Sequence, residues 1–185
     1  MQPIHNAHLY MVEKACEECD EVTVILGSEN KRDTLRNPFT IEKRREMLLA
    51  SLPVEYREKI SVYEIPDWSM ESKVADYKIW GRYFYYNAVS RINQKRFFLY
   101  YSDGQKMLDN WFENTEVREY ITYRLFERSS LFDGLSATKI RNAFVNDDKE
   151  YIRKYCPDVV LEQFDYLKKY YLGVLNNPLD DYEME

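Results

Sequence analysis

The run Glu21-Val22-Thr23-Val24-Ile25-Leu26-Gly27 is apolar and β-branched on consecutive positions, is closed by glycine, and stands between helical patterns. A segment that short cannot hide its apolar side chains as a helix does, and without alternation it has to bury both faces. That is the situation of a strand in a parallel sheet. Before it, Leu9, Val12, Ala15 and Cys16 recur at helical spacing between Ala7 and Glu18. After it comes a polar, basic loop from Ser28 to Phe39, and then Thr40, placed to cap a helix from Ile41 to about Leu52. The alternation continues with a strand from Lys59 to Ile65, stopped by Pro66-Asp67-Trp68, and a helix from about Lys73 to Ile92. A third strand runs from Arg96 to Tyr101, followed by the turn Ser102-Asp103-Gly104, a helix from Gln105 to Phe112, and a strand from Glu119 to Phe126. From Thr138 to Leu172 the pattern is helical, interrupted at Asn146-Asp147-Asp148 and at Pro157. The expected fold class is α/β, a parallel sheet with helices on both faces. Such sheets bind ligands at the carboxyl ends of their strands, here the loops after Gly27, Ile65, Tyr101 and Phe126.

A chain of 185 residues is the size of one domain. The expectation is a domain over residues 1–175, its C-terminal helices starting near 138, and an acidic tail over 176–185. The formal charge of -6 argues against nucleic acid or an anionic membrane as partner, since both recruit basic faces. No apolar run approaches the ~20 residues that span a bilayer, and the N-terminus lacks a signal-peptide pattern, so a cytoplasmic location is expected. Cys16 and Cys19 form a CxxC, but it falls inside the first helical pattern without a second pair or a nearby histidine, so no metal site is expected there. Oligomeric state, a homo-oligomer included, is left open.

Two clusters carry chemistry. His5 and His8, the only histidines, stand at the start of the first helix, three residues apart. Both can face an anion that the free backbone N–H groups of a helix N-terminus already attract. Alone, the pair suits a metal, or no ligand, as well as a phosphate. In Ser136-Ala137-Thr138-Lys139-Ile140-Arg141, Ser136 can cap a helix, the Thr138 hydroxyl can bind phosphate, and Arg141 follows one turn later. Alone, this is also how an ordinary capped helix reads.

Together, His5-Asn6-Ala7-His8 and Ser136 to Arg141 resemble the HxGH and ISxTxxR motifs of the nucleotidyltransferase superfamily, in order and at a fitting separation. Within it, the chain resembles the nicotinamide-nucleotide adenylyltransferases of the archaeal type and the bacterial ones fused to Nudix domains. Gln2-Pro3-Ile4-His5-Asn6-Ala7-His8-Leu9 is similar to their QPFHxGHL, and Ile25 to Ser28 to their IGS. Arg36-Asn37-Pro38-Phe39-Thr40, with Glu42 and Arg44, is similar to RNPFTxxER, and Ile65-Pro66-Asp67-Trp68 to the segment after their third strand. The likeness runs from residue 1 to about 165, and the Arg36 to Thr40 stretch is its most family-specific part.

The resemblance implies a Rossmann-like nucleotidyltransferase that transfers the adenylyl group of ATP to nicotinamide mononucleotide, with magnesium carried by the nucleotide. His5, His8 and Arg141 would support the reacting phosphates, and Ser136, Thr138 and Ser102 would help hold ATP. Arg36, Asn37, Asp67 and Trp80 would bind the mononucleotide, Trp80 by stacking on its cationic ring, with Trp68 as competitor. Two alternatives stay open: another phosphorylated acceptor, such as phosphopantetheine or glycerol phosphate, and a nucleotide-binding regulatory module without turnover. Three departures bear on this. Ala7 replaces the glycine of HxGH, and the loop at Ser102 leaves the adenosine contacts open. Family members also begin with a central strand and a Gly-Arg-Phe turn before Gln-Pro. Met1 stands at the phenylalanine position, so the first strand is missing from this chain, as expected of a start codon assigned too late. No Nudix signature is present, and that hydrolase activity is not assigned.

Overall fold

The computed structural model describes residues 1–67, 77–102, 105–126 and 131–179. They form two compact units, one made of Met1–Asp67 with the residues from Gly134 onward, the other lying within Trp68–Asp133. Trp68, the Asp103-Gly104 part of the expected turn, the first residues of the helix expected from Lys73, and the acidic tail from Asp180 lie outside the described residues.

The first unit opens with α1 (Asn6–Glu18), whose Ala7, Val12, Ala15 and Cys16 are buried as their spacing requires. Strand β1 (Val22–Leu26) pairs in parallel with β2 (Ile60–Glu64), in a register from Val22 opposite Ile60 to Leu26 opposite Glu64. Parallel neighbours need a crossover, and α2 (Ile41–Ser51) and the short α3 (Val54–Arg57) supply it. Thr40 caps α2 as expected, its hydroxyl accepting from the Lys43 N–H. The C-terminal part adds α6 (Ala137–Val145), α7 (Lys149–Tyr155), α8 (Asp158–Glu162) and α9 (Phe164–Asn176). Asp147 sits at φ 59° and the Asp148 carboxylate caps α7, so the Asn-Asp-Asp punctuation is where the chain turns. Met47, Leu48, Ile140, Phe144, Phe164 and Leu167 are sealed in its core.

In the second unit, β3 (Phe97–Tyr101) and β4 (Ile121–Leu125) form another parallel pair, linked through α5 (Gln105–Phe112) and preceded by α4 (Tyr77–Ile92). The strand expected from Glu119 starts later, because Arg118–Tyr120 form a 3-10 turn. Tyr85, Leu108, Phe112, Val117 and Ile121 make an aromatic-rich core. Gly81 lets α4 lie directly on α5: a β-carbon there would be 2.1 Å from the Trp111 carbonyl oxygen. Strands in parallel pairs with helical connections make this an α/β fold, as the sequence pattern predicts. Among the described residues, no helix is long and apolar enough to cross a membrane.

Candidate functional site

His5 is the N-cap residue of α1, with extended backbone (φ -149°), and His8 lies on the first turn. The His5 carbonyl accepts from the N–H groups of His8 (2.8 Å) and Leu9 (3.3 Å). The N–H groups of Asn6 and Ala7 are among those that a helix start leaves without intrahelical carbonyls. The two imidazoles stack, with centroids 3.7 Å apart and planes 20° from parallel. His5 is buried and His8 half-buried, so the pair meets solvent through His8. Ala7 is buried at the position between them.

The second cluster reaches the same place. Ser136 caps α6 by accepting from the Lys139 N–H (3.3 Å), and Thr138 is exposed. Arg141 turns inward instead of to solvent: it is 7% exposed, its Nη1 donates to the Gln2 carbonyl (2.9 Å), and its Nη2 donates to the Thr138 hydroxyl (3.2 Å). Its Nε is buried without a hydrogen-bond partner, a donor that an anion oxygen could satisfy. Gln2 is three residues from His5, so the structure joins two clusters that the sequence holds more than a hundred residues apart.

The loop with Arg36 and Asn37 is tightly built. The Asp33 N–H donates to the Pro38 carbonyl (3.2 Å), and the Asn37 N–H donates to the buried Thr34 hydroxyl (3.0 Å). The α9 residue Tyr170 donates to the Asp33 carboxylate (2.5 Å), and the Leu179 N–H donates to the Asp33 carbonyl (2.8 Å). Burial, with that hydrogen bond second, pushes the Tyr170 phenol up to about 12. On this base Arg36 is exposed and Asn37 half-buried. Asp67 is fixed by Asn30, which accepts from its N–H (2.8 Å) and donates to its carbonyl (3.1 Å).

Trp80 and Ser102 belong to the second unit. Trp80 is half-buried among rings, 4.6 Å from Trp111 and 5.7 Å from Phe84 between centroids. Ser102 follows β3 directly, at the carboxyl end of the strand.

Two residues beyond the expected set hold the site together. Gln2 is buried and bonds Phe39 through both ends of its carboxamide. Arg44 is 3% exposed; its Nη2 donates to the Gly27 carbonyl (2.8 Å), Nη1 to Ser28 (3.3 Å) and Nε to Met1 (3.1 Å). Burial pulls its guanidinium down to about 10, so it remains a cation at neutral pH. The signal for Arg44 is its place on the face of α2 shared with Met47 and Leu48, where a charge needs buried acceptors. Among the described residues, no group of three or more acidic, histidine or cysteine side chains is arranged to hold a metal ion. The donors here suit phosphate oxygens.

Comparison with known proteins gives the family. Residues 1–175 match the profile of the cytidylyltransferase-like family. The nicotinamide-nucleotide adenylyltransferase of Thermococcus sibiricus is 32% identical over 148 residues, which cover 79% of this chain and 70% of that protein. That of Thermococcus kodakarensis is 32% identical over 149 residues, 80% and 70% of the two chains. A bifunctional NMN adenylyltransferase/ADP ribose pyrophosphatase from Francisella tularensis, solved with AMP and a manganese ion, has a TM-score of 0.60 at 16% identity. The match covers 95% of this chain but only about half (49%) of that one, and at such identity the likeness is one of fold. The chain belongs to the cytidylyltransferase-like family of nucleotidyltransferases, and its relatives there include nicotinamide-nucleotide adenylyltransferases.

Proposed function

We propose that this protein joins ATP to nicotinamide mononucleotide, giving NAD and pyrophosphate, and that residues 1–175 act as one nucleotidyltransferase domain. A phosphate oxygen of the mononucleotide attacks the α-phosphorus of ATP, a new P–O bond forms, the bond to the β-phosphate oxygen breaks, and pyrophosphate leaves. The attacking phosphate is already ionised at neutral pH, so no protein nucleophile is needed, and catalysis is positioning with charge stabilisation.

The observation that carries the reading is the bond from Arg141 Nη1 to the Gln2 carbonyl, 2.9 Å, which brings the arginine of the second motif to the start of the first. His5 and His8 support the charge growing at the α-phosphate and on the leaving group. Arg141, with the Ser136 and Thr138 hydroxyls, holds the β- and γ-phosphates, and Ser102 adds an ATP contact. Arg36 pairs with the mononucleotide phosphate, assisted by Asn37 and Asp67. Trp80 stacks on the pyridinium, a contact worth about 0.5–2 kcal/mol. Magnesium arriving with ATP would neutralise phosphate charge and polarise the reacting phosphoryl group. A cytoplasmic setting, without nucleic acid or membrane as partner, is part of the same proposal and accords with the net charge of -6.

The test is NAD formation from ATP, magnesium and nicotinamide mononucleotide by the purified protein, read through an alcohol dehydrogenase. Steady turnover supports the reading; no NAD, with ATP still bound, favours the regulatory alternative instead.

A further inference from the structure

Gln2 is 5% exposed, and its carboxamide oxygen, its carboxamide nitrogen and its backbone carbonyl are each hydrogen-bonded across the site. Its Oε1 accepts from the Phe39 N–H (3.0 Å) and its Nε2 donates to the Phe39 carbonyl (3.3 Å). A carboxamide bonded to both polar atoms of one residue copies a β-ladder pair and fixes that residue in position and orientation. Phe39 is itself 1% exposed and closes the loop that presents Arg36 and Asn37. On the other side, the Gln2 backbone carbonyl accepts from Arg141 Nη1 (2.9 Å). One residue thus stands between the loop proposed to bind the acceptor and the arginine proposed to bind the triphosphate.

We propose that Gln2 is a positioning residue that couples the two substrates: a mononucleotide held by the loop also holds Arg141 for the triphosphate. The inference rests on the reading of the site given above. Coupling of this kind is reciprocal, so ATP tightens the acceptor by the same factor. Glutamine suits the role because Phe39 offers one donor and one acceptor. An ionised glutamate could satisfy only the N–H, and a methionine of similar size offers no donor and only a weak acceptor.

The full chain is first assayed for NAD formation; its absence sinks the reading of the site and not the coupling as such. With an active wild type, calorimetry measures binding of α,β-methylene-ATP, which cannot transfer its adenylyl group, with and without nicotinamide mononucleotide. The wild type should bind the analogue about fivefold or more tightly when the mononucleotide is present. Gln2→Met should bring that ratio to about one, a change that loss of general stability does not produce because it weakens both arms together. Gln2→Glu should regain coupling as pH falls, since its protonated carboxyl restores a donor, while the wild-type ratio over the same range sets the baseline. Full coupling in Gln2→Met, or none in an active wild type, overturns the proposal. If Gln2→Met does not fold, Gln2→Glu decides: a ratio that equals the wild-type value at every pH overturns it.

Discussion

Replacing Arg44 by methionine keeps most of the apolar stem and removes three hydrogen bonds, to the carbonyls of Gly27, Ser28 and Met1. Bonds from a charged donor contribute about 1.5–3 kcal/mol each, but two corrections apply. The carbonyls belong to half-buried residues that water can partly reach, and the variant no longer bears the cost of desolvating a guanidinium. Against these offsets, Ser28 sits at φ 56°, a left-handed conformation that a non-glycine residue holds at a cost of about 1–2 kcal/mol, and Arg44 Nη1 is bonded to its carbonyl. The net expectation is a loss of about 2–3 kcal/mol, a large share of the 5–15 kcal/mol typical of a folded protein. For a chain of this size that lowers Tm by about 4–12 °C. Urea denaturation followed by circular dichroism measures the loss, and Arg44→Lys, with one ammonium for three acceptors, should fall between the two. A change below about 0.5 kcal/mol for Arg44→Met would refute the claim that these bonds fix the loop after β1.

Gly81→Ala places a methyl 2.1 Å from the Trp111 carbonyl oxygen, and backbone cannot yield as a side chain can. It should destabilise the protein by about 2 kcal/mol or more in the same urea assay, and a neutral result would contradict the close approach of α4 to α5. The Tyr170 phenol, raised to about 12 from the usual value of 10, contributes stability that is complete below pH 10 and lost as pH rises towards 12. Tyr170→Phe loses the bond to Asp33 and should be less stable than the wild type at neutral pH, with the gap closing over that window as the wild-type phenol ionises; a constant gap in pH-jump melts argues against the raised phenol. His8→Ala and Arg141→Ala should each lower turnover at least about tenfold while circular dichroism stays native, the contribution expected of a single charge-stabilising group. Near-normal rates in both would remove their assigned roles.

The elements that local chemistry defines were legible in the chain. Thr40 marks the start of α2, the β-branched run ending in Gly27 gives β1, and Gln105–Phe112 is helical as its spacing demands. Where local signals are weak, the structure departs. Val54–Arg57 is a four-residue helix too short to show a period, and the turn at Arg118–Tyr120 delays β4. The break between α8 and α9 falls at Gln163, with neither glycine nor proline to announce it. The clusters at His5 and Arg141 could be read because each motif is local in sequence. Gln2 and Arg44 could not be assigned in the same way: their partners lie 37 and 139 residues away for Gln2, and 16 to 43 for Arg44, so only the folded chain shows that they brace the site.

Adenylyl transfer to a single acceptor can be followed through the fate of a label. ATP carrying 32P at the α-position is incubated with the protein, magnesium and nicotinamide mononucleotide, with parallel reactions containing phosphopantetheine or glycerol phosphate. Label is expected in NAD, with one unlabelled pyrophosphate released per NAD and no labelled product with the other two acceptors. Label appearing only in AMP, or in the product of another acceptor, would contradict it.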